Sequence, residues 1–299
     1  MSDTLENHFI IGVPTFNRSH LISRVVDSAQ KQNYLKWTIL FVDDCSSDET
    51  EKVIKEIAQS KSNINYVRLE ENSGVNAVRN KIIELAKIID ENAFLVLIDD
   101  DDYLAPNALS TASKYISRNS SFNWFSLNCN YDDGAPITKI RQYGPRSYLK
   151  DYMFGKGIKG DLTHIIRLNS LKEEKFTNEF KNGEEWFFWV SLSLNHGLFT
   201  INAPGSIKEY LEGGLTETGI NRDKAIQVLK YKIEVLSPIV GDEKMLHQYV
   251  SLAKNYLSKG NYEEASLLLI QVFKTSPLYF RQYRHWASLL IRKFLKGFQ

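Results

Sequence analysis

The sequence predicts an α/β fold built on a mostly parallel central sheet, followed by a helical C-terminal appendage. Three observations carry this expectation. Short apolar runs without polar alternation recur through the first hundred residues, stretches of helical periodicity separate them, and beyond about residue 222 only helical patterns remain.

Phe9 to Val13 is apolar and is stopped by Pro14, and the following stretch from His20 to Gln30 places Leu21, Val25, Val26 and Ala29 on one helical face. Thr38 to Val42 is a second buried strand, ending at Asp43 and Asp44. Ser46-Ser47-Asp48-Glu49 reads as a capping box that opens a helix through Ile57. Ile64 to Leu69 is a third strand and Asn76 to Ile89 a third helix. Phe94 to Ile98 is a fourth strand that runs directly into Asp99-Asp100-Asp101-Asp102. In open parallel sheets ligands bind beyond the carboxyl ends of the strands. Pro14 to Arg18, Asp43-Asp44 and the Asp99 run all lie at such ends, so three polar groups converge on one crevice.

From about Asn123 the pattern loosens, with strands at Trp124 to Cys129 and Asp161 to Leu168 separated by a loop or hairpin from Tyr131 to Tyr148. Glu184 to Leu194 reads as an aromatic helix, and Leu252 to Pro277 as one helix-turn-helix repeat of the tetratricopeptide kind. The expected domains are residues 1–220 and 221–299.

The chain has 299 residues, 43% hydrophobic and 24% charged, and carries a net charge of +1 that points to no nucleic-acid partner. Its two cysteines, Cys45 and Cys129, have no metal-ligand spacing, and the N-terminus shows no signal-peptide pattern. A cytoplasmic protein is the expectation, and its distribution of charge adds a possible partner. The last 35 residues carry +6, so the rest must carry −5. Written at 100° per residue, Tyr283, Trp286, Ala287, Leu290, Ile291, Phe294 and Phe298 share one face of 281–299, opposite Arg281, Arg284, Arg292 and Lys296, with Lys293 at the boundary. Such a helix suits an anionic membrane surface, or it docks on the catalytic domain.

Four adjacent carboxylates repel one another unless a cation or donors neutralise them, and their oxygen chemistry suits Mn²⁺ or Mg²⁺. A solvated turn is the alternative for an isolated acidic run; the strand-end position favours the ion. The ordered segments VPTFNR, FVDDCSSDET, SGVNAVRN, LIDDDD and NGEEWFFW together resemble the family 2 glycosyltransferases of the GT-A fold, over roughly residues 8 to 215. The resemblance implies an inverting, metal-dependent transfer from a nucleotide sugar, with a UDP-sugar as the expected donor and a glycan or lipid-linked hydroxyl as acceptor. It implies that Pro14, Thr15 and Phe16 line the nucleoside, although the sequence leaves Phe16 open between base stacking and the core. It matches Asp44 to a carboxylate that accepts from the uracil imide, and places Arg18, Asp43, Asn76 and Asp100 in the donor set. Arg79 falls near the donor phosphates or ribose, and Asp99 and Asp101 match the D-x-D pair, with Asp101 the main metal ligand.

An acceptor hydroxyl must lose its proton as it attacks, and a carboxylate can take that proton as the bond forms. Glu184 and Glu185 fit as residues opening an aromatic helix, with Glu185 at the position the family gives to its base and Trp186 placed for acceptor stacking. The segment 209–216 resembles one that closes over the donor, but lacks the His often found there. His164 and His196 read as structural. A pyrophosphorylase would need a Gly-rich loop after the first strand, which VPTFNRSH lacks; a sugar-nucleotide-binding module without turnover remains the non-enzymatic alternative.

Overall fold

The computed structural model describes residues 6–181, 183–209, 221–279 and 285–286. The chain forms two compact units, Met1–Leu211 and Glu212–Gln299.

In the first unit, β1 (Phe9–Thr15), α1 (Ile22–Gln30), β2 (Trp37–Asp43), α2 (Thr50–Ala58), β3 (Ile64–Arg68), α3 (Val75–Asp90) and β4 (Phe94–Leu97) alternate as the periodicity requires. Strands β3, β2, β1 and β4 lie side by side and parallel, with Thr15 level with Asp43. Every residue of β1 is buried, because helices cover both faces of the sheet and leave no side for polar alternation. The chain goes on through β5 (Asp102–Leu104), α4 (Ala108–Arg118), β6 (Trp124–Tyr131), the short β7 (Lys139–Ile140), β8 (Gly144–Arg146) and β9 (Ile158–Lys159), β10 (Leu162–Arg167) and β11 (Leu198–Lys208), and the sheet continues from β4 in the order β10, β6, β11, β5. Here β10 is antiparallel to both neighbours, β6 and β11 are parallel, and β5 is antiparallel to β11. Apolar runs reveal buried strands but not their direction, so this mixed half is a finding of the structure.

The capping-box expectation is corrected. The Ser46 hydroxyl donates to Asp43 Oδ1 at 2.5 Å and accepts from the Asn17 N–H at 2.8 Å, so its oxygen ties two loops together instead of capping a helix. Helix α2 begins at Thr50, whose backbone N–H and hydroxyl both donate to Asp48 Oδ1. The loop expected before Tyr148 leads into one π-helical turn, Tyr148–Met153, capped by Ser147 accepting from the Lys150 N–H.

The second unit contains α6 (Arg222–Val240), α7 (Asp242–Lys259) and α8 (Tyr262–Thr275). Asn221 caps α6 by accepting from the N–H groups of Asp223 and Lys224. Gly260, at φ +81°, ends α7 in the left-handed conformation that glycine adopts without penalty, and the chain turns into α8. Leu246, Val250, Ala253, Leu257, Ala265, Leu269 and Val272 are buried between these helices. The expected closing segment 209–216, apart from Glu209, and the amphipathic tail at 281–299, apart from His285 and Trp286, lie outside the described residues. Among those described, no helix is long and apolar enough to cross a membrane.

Candidate active site

The carboxyl ends of β1, β2 and β4 form the crevice, but they use their polar residues unequally. Pro14 and Thr15 are buried in β1, while Phe16 is 44% exposed and free to present its ring to a ligand. The Phe16 N–H points at Asp100 Oδ2 at 3.4 Å, and the Arg18 guanidinium lies 3.7 Å from Asp100 Oδ1.

Asp43 is a correction to the expected donor set. It is fully buried, accepting from the Ser46 N–H and hydroxyl and from the Tyr66 hydroxyl at 2.8 Å, so it shapes the loop after β2. Asn76 is a second correction. Its buried amide donates to the carbonyls of Thr177, Phe180 and Gly183, which fastens the segment leading to Glu184 onto α3.

Asp44 is only 5% exposed, and its oxygens accept from the N–H groups of Ser73 at 2.6 Å and Gly74 at 2.8 Å. Gly74 has φ +87°, and a Cβ there would lie 2.3 Å from the Lys181 carbonyl oxygen, so no larger residue fits this close approach. Both oxygens of Asp44 are thus engaged by the backbone of the turn that leads into α3. Asp44→Asn is expected to cost about 1–3 kcal/mol of stability, the range for a disrupted charge-assisted hydrogen bond. Thermal melting and UDP titration check this together; lost UDP binding at an unchanged melting temperature would return Asp44 to direct ligand contact.

Carboxylate oxygens of Asp99, Asp101 and Asp102 lie within 4.8 Å of one another. Asp102 was missed as a site residue, because its position on β5 follows from the pairing of β5 with β11. That register sets Lys208 opposite Asp102, and Lys208 Nζ donates to Asp102 Oδ2 at 2.6 Å. Buried Arg79 donates to Asp99 Oδ1 at 2.7 Å and stands 3.3 Å from Glu185 Oε2. Burial opposes the charge on Asp99, but Arg79 and Lys208 outweigh it and hold its carboxyl below the usual range. Burial, reinforced by the charge of Asp99, raises Asp101. Burial likewise pushes Asp100 and Asp102 up to about 7. With Asp99 tied to Arg79 and Asp102 to Lys208, Asp101 is the member of the cluster whose charge calls most directly for a cation. An oxygen-only set around one such carboxylate fits a hard divalent ion.

Glu184 and Glu185 lie at the N-terminus of the aromatic helix, where their carbonyls accept from the N–H groups of Phe187 and Phe188. Helix α5 (Trp186–Asn195) starts after them, with Glu185 at its N-cap and Glu184 at φ +60°. Strain at Glu184 turns the two carboxylates apart. The Trp186 indole N–H donates to Glu184 Oε2 at 2.6 Å, whereas Glu185 turns towards Arg79. The Glu185 side chain is 54% exposed to the pocket, and the surrounding protein nonetheless raises its pKa by desolvation, with Arg79 opposing.

These groups enclose a pocket of about 240 Å³. Besides Arg79, Asp99, Glu184, Glu185 and Trp186, it brings in Tyr148, Tyr152, Asp161, Cys129 and Lys208, none of which the sequence motifs singled out. Their signal is tertiary: they come from the antiparallel half of the sheet and the π-helical turn. Phe188 and Trp189 are buried in the core.

His164 also borders the pocket but accepts from the Trp124 indole N–H at 3.1 Å and packs on Trp189, as a structural residue does. Burial pushes its imidazole from 6.5 down to about 3. The unfolded chain therefore takes up the proton first, so the stability contributed by neutral His164 is complete above pH 6.5 and is lost as pH falls towards 3. His164→Gln is expected to flatten the decline in urea midpoint between pH 6.5 and 4; an unchanged slope would contradict a buried neutral ring.

Residues 10–177 match the family model described as Glycosyl transferase family 2. The chain belongs to this family. As a member it is a glycosyltransferase. It is 36% identical over 198 residues to the putative colanic acid biosynthesis glycosyl transferase WcaA of Escherichia coli, covering 64% of this chain and 69% of that protein. Its fold is shared with Staphylococcus aureus TarS residues 1–349 in complex with UDP-GlcNAc, at a TM-score of 0.66 and 19% identity over 90% of this chain and 81% of that one. A more distant structural neighbour is the mannosyltransferase PcManGT of Pyrobaculum calidifontis in complex with GDP-Man and Mn²⁺, with a TM-score of 0.53 and 15% identity over 96% and 86% of the two chains.

Proposed function

We propose that this glycosyltransferase moves a hexosyl unit from a UDP-sugar to an acceptor hydroxyl, with inversion, during assembly of a surface polysaccharide. The observation that carries the reading is the Asp99–Arg79–Glu185 chain, which links an acidic cluster at a strand end to a carboxylate across one pocket. Asp101 and Asp99 would hold Mn²⁺ or Mg²⁺, and such an ion supplies electrostatic stabilisation for the charge that develops on a departing nucleoside diphosphate. Phe16, Arg18 and Asp100 face the nucleoside side, and Arg79 lies between the diphosphate end and the base. Glu185 accepts the proton of the attacking hydroxyl, a task favoured by its raised pKa. Trp186 borders the acceptor. The nucleotide sugars bound in the two structural neighbours support a nucleotide-sugar donor, the UDP-GlcNAc of the TarS complex favours uridine, and the name of the E. coli relative supports polysaccharide assembly.

A panel of UDP-GlcNAc, UDP-glucose, UDP-galactose and GDP-mannose tests it. Nucleotide release from a UDP donor with an inverted anomeric product is expected; tight donor binding without release from any of them would favour a binding module.

We place the enzyme on the inner face of the cell membrane, with a lipid-linked glycan as acceptor, on the strength of the +6 carried by its last 35 residues. Full-length protein is expected to float with anionic liposomes and a chain ending at Pro277 to sediment. Equal flotation of both would dispose of the tail as an anchor.

A further inference from the structure

Beyond Glu185 the pocket has a wall that the transfer chemistry does not use. We propose that this wall is a subsite for an uncharged pyranose of the acceptor, and that it excludes acceptors carrying a carboxylate or phosphate at this position. The inference rests on the glycosyl-transfer reading and names the class of acceptor.

The wall is built from a stack of rings that starts in the core. Trp189 stacks on Trp124 at 5.8 Å and 11°, Trp124 packs on Tyr148 at 5.5 Å, and Tyr148 stacks on Tyr152 at 4.9 Å and 18°. Tyr152 is half-buried and borders the pocket, so the outermost ring is held by its neighbours before any ligand arrives. A rigid aromatic surface beside polar groups suits the apolar C–H face of a sugar ring. Asp161 supplies the polar side. Its side chain is 60% exposed and lies 3.7 Å from Lys208 Nζ. That separation is too long for a direct hydrogen bond, and a ligand hydroxyl between the two could donate to the carboxylate and accept from the ammonium.

Charge decides what the subsite refuses. The described lining residues include carboxylates at Asp99, Asp102, Asp161, Glu184 and Glu185, against cations at Arg79 and Lys208. Arg79 is paired with Asp99 and Glu185, and Lys208 donates to Asp102. An anionic acceptor entering along Tyr152 would therefore meet Asp161, Glu184 and Glu185, and the cation beside Asp161, Lys208, already donates to Asp102. Like charges brought together in a partly desolvated pocket reject a ligand more strongly than a missing contact does.

The experiment compares p-nitrophenyl β-glucoside with p-nitrophenyl β-glucuronide, which differ by a carboxylate, as acceptors for full-length protein with its best UDP donor. UDP release above donor hydrolysis is read for each. The glucoside is expected to stimulate release at least tenfold more than the glucuronide. Asp161→Asn should shrink that ratio by threefold or more, and Tyr152→Ala should raise the KM for the glucoside about tenfold, with Tyr152→Phe restoring most of it. Equal use of both probes by wild type, or a ratio unmoved in Asp161→Asn, overturns the proposal. So does a failure of the glucoside to stimulate while the donor is still hydrolysed. A protein that neither binds UDP nor releases it from any donor instead contradicts the glycosyl-transfer reading itself.

Discussion

Asp101→Ala is expected to lower kcat/KM for donor turnover by at least about 10²–10³-fold, the range for removing one group that stabilises charge in a transition state. Arg79 already balances Asp99, and Lys208 balances Asp102, so Asp101 is the carboxylate whose loss most weakens the cluster as a cation site. The effect should appear in UDP affinity measured with Mn²⁺ and shrink when the ion is chelated, because the variant and the chelated wild type lack the same interaction. The fold should not suffer. Asp101 is raised in pKa by burial and by the charge of Asp99, so removing its carboxylate relieves repulsion, and the melting temperature without ion is expected to hold or rise slightly. Mn²⁺-dependent activity equal to that of wild type would remove Asp101 from the ion site.

Glu185→Gln is expected to lower kcat by about 10²-fold or more while UDP binding persists. The substitution keeps the length and the contact with Arg79 but removes the proton acceptor. Because desolvation by the surrounding protein raises the Glu185 pKa, the acid limb of the wild-type kcat profile should lie above the ordinary glutamate value of about 4.3. Activity should fall as pH drops through that limb, since the base must be ionised, and the limb should vanish in the variant. Glu184→Gln should cost less in kcat and more in acceptor KM, because Glu184 holds the Trp186 indole. The reverse pattern would move the base to Glu184.

The parallel half of the fold was legible because its strands are short, mostly apolar runs and a helix follows each of the first three. Aspartates at the ends of β2 and β4 could be placed for the same reason. Their roles could not, since whether a carboxylate meets a ligand depends on which donors reach it first. Asp43 is taken by Ser46 and Tyr66, and Asn76 by three carbonyls from a segment about a hundred residues away. The two glutamates were found, but not the positive φ at Glu184 that separates them, because no periodicity marks a single strained residue. Lys208, Asp161 and Tyr152 were invisible for a related reason: each enters the pocket through pairing or packing between distant elements.

If Asp101, beside the pocket that joins Asp99 and Asp102 to Glu185, completes a metal-assisted transfer centre, turnover must depend on both ends of that pocket. The most direct measurement is UDP release from UDP-GlcNAc with Mn²⁺ for wild type, Asp101→Ala and Glu185→Gln, with UDP affinity determined in parallel. Turnover should be lost in both variants, with affinity reduced in Asp101→Ala and kept in Glu185→Gln. Undiminished release by both variants, or by wild type in excess EDTA, would contradict the account.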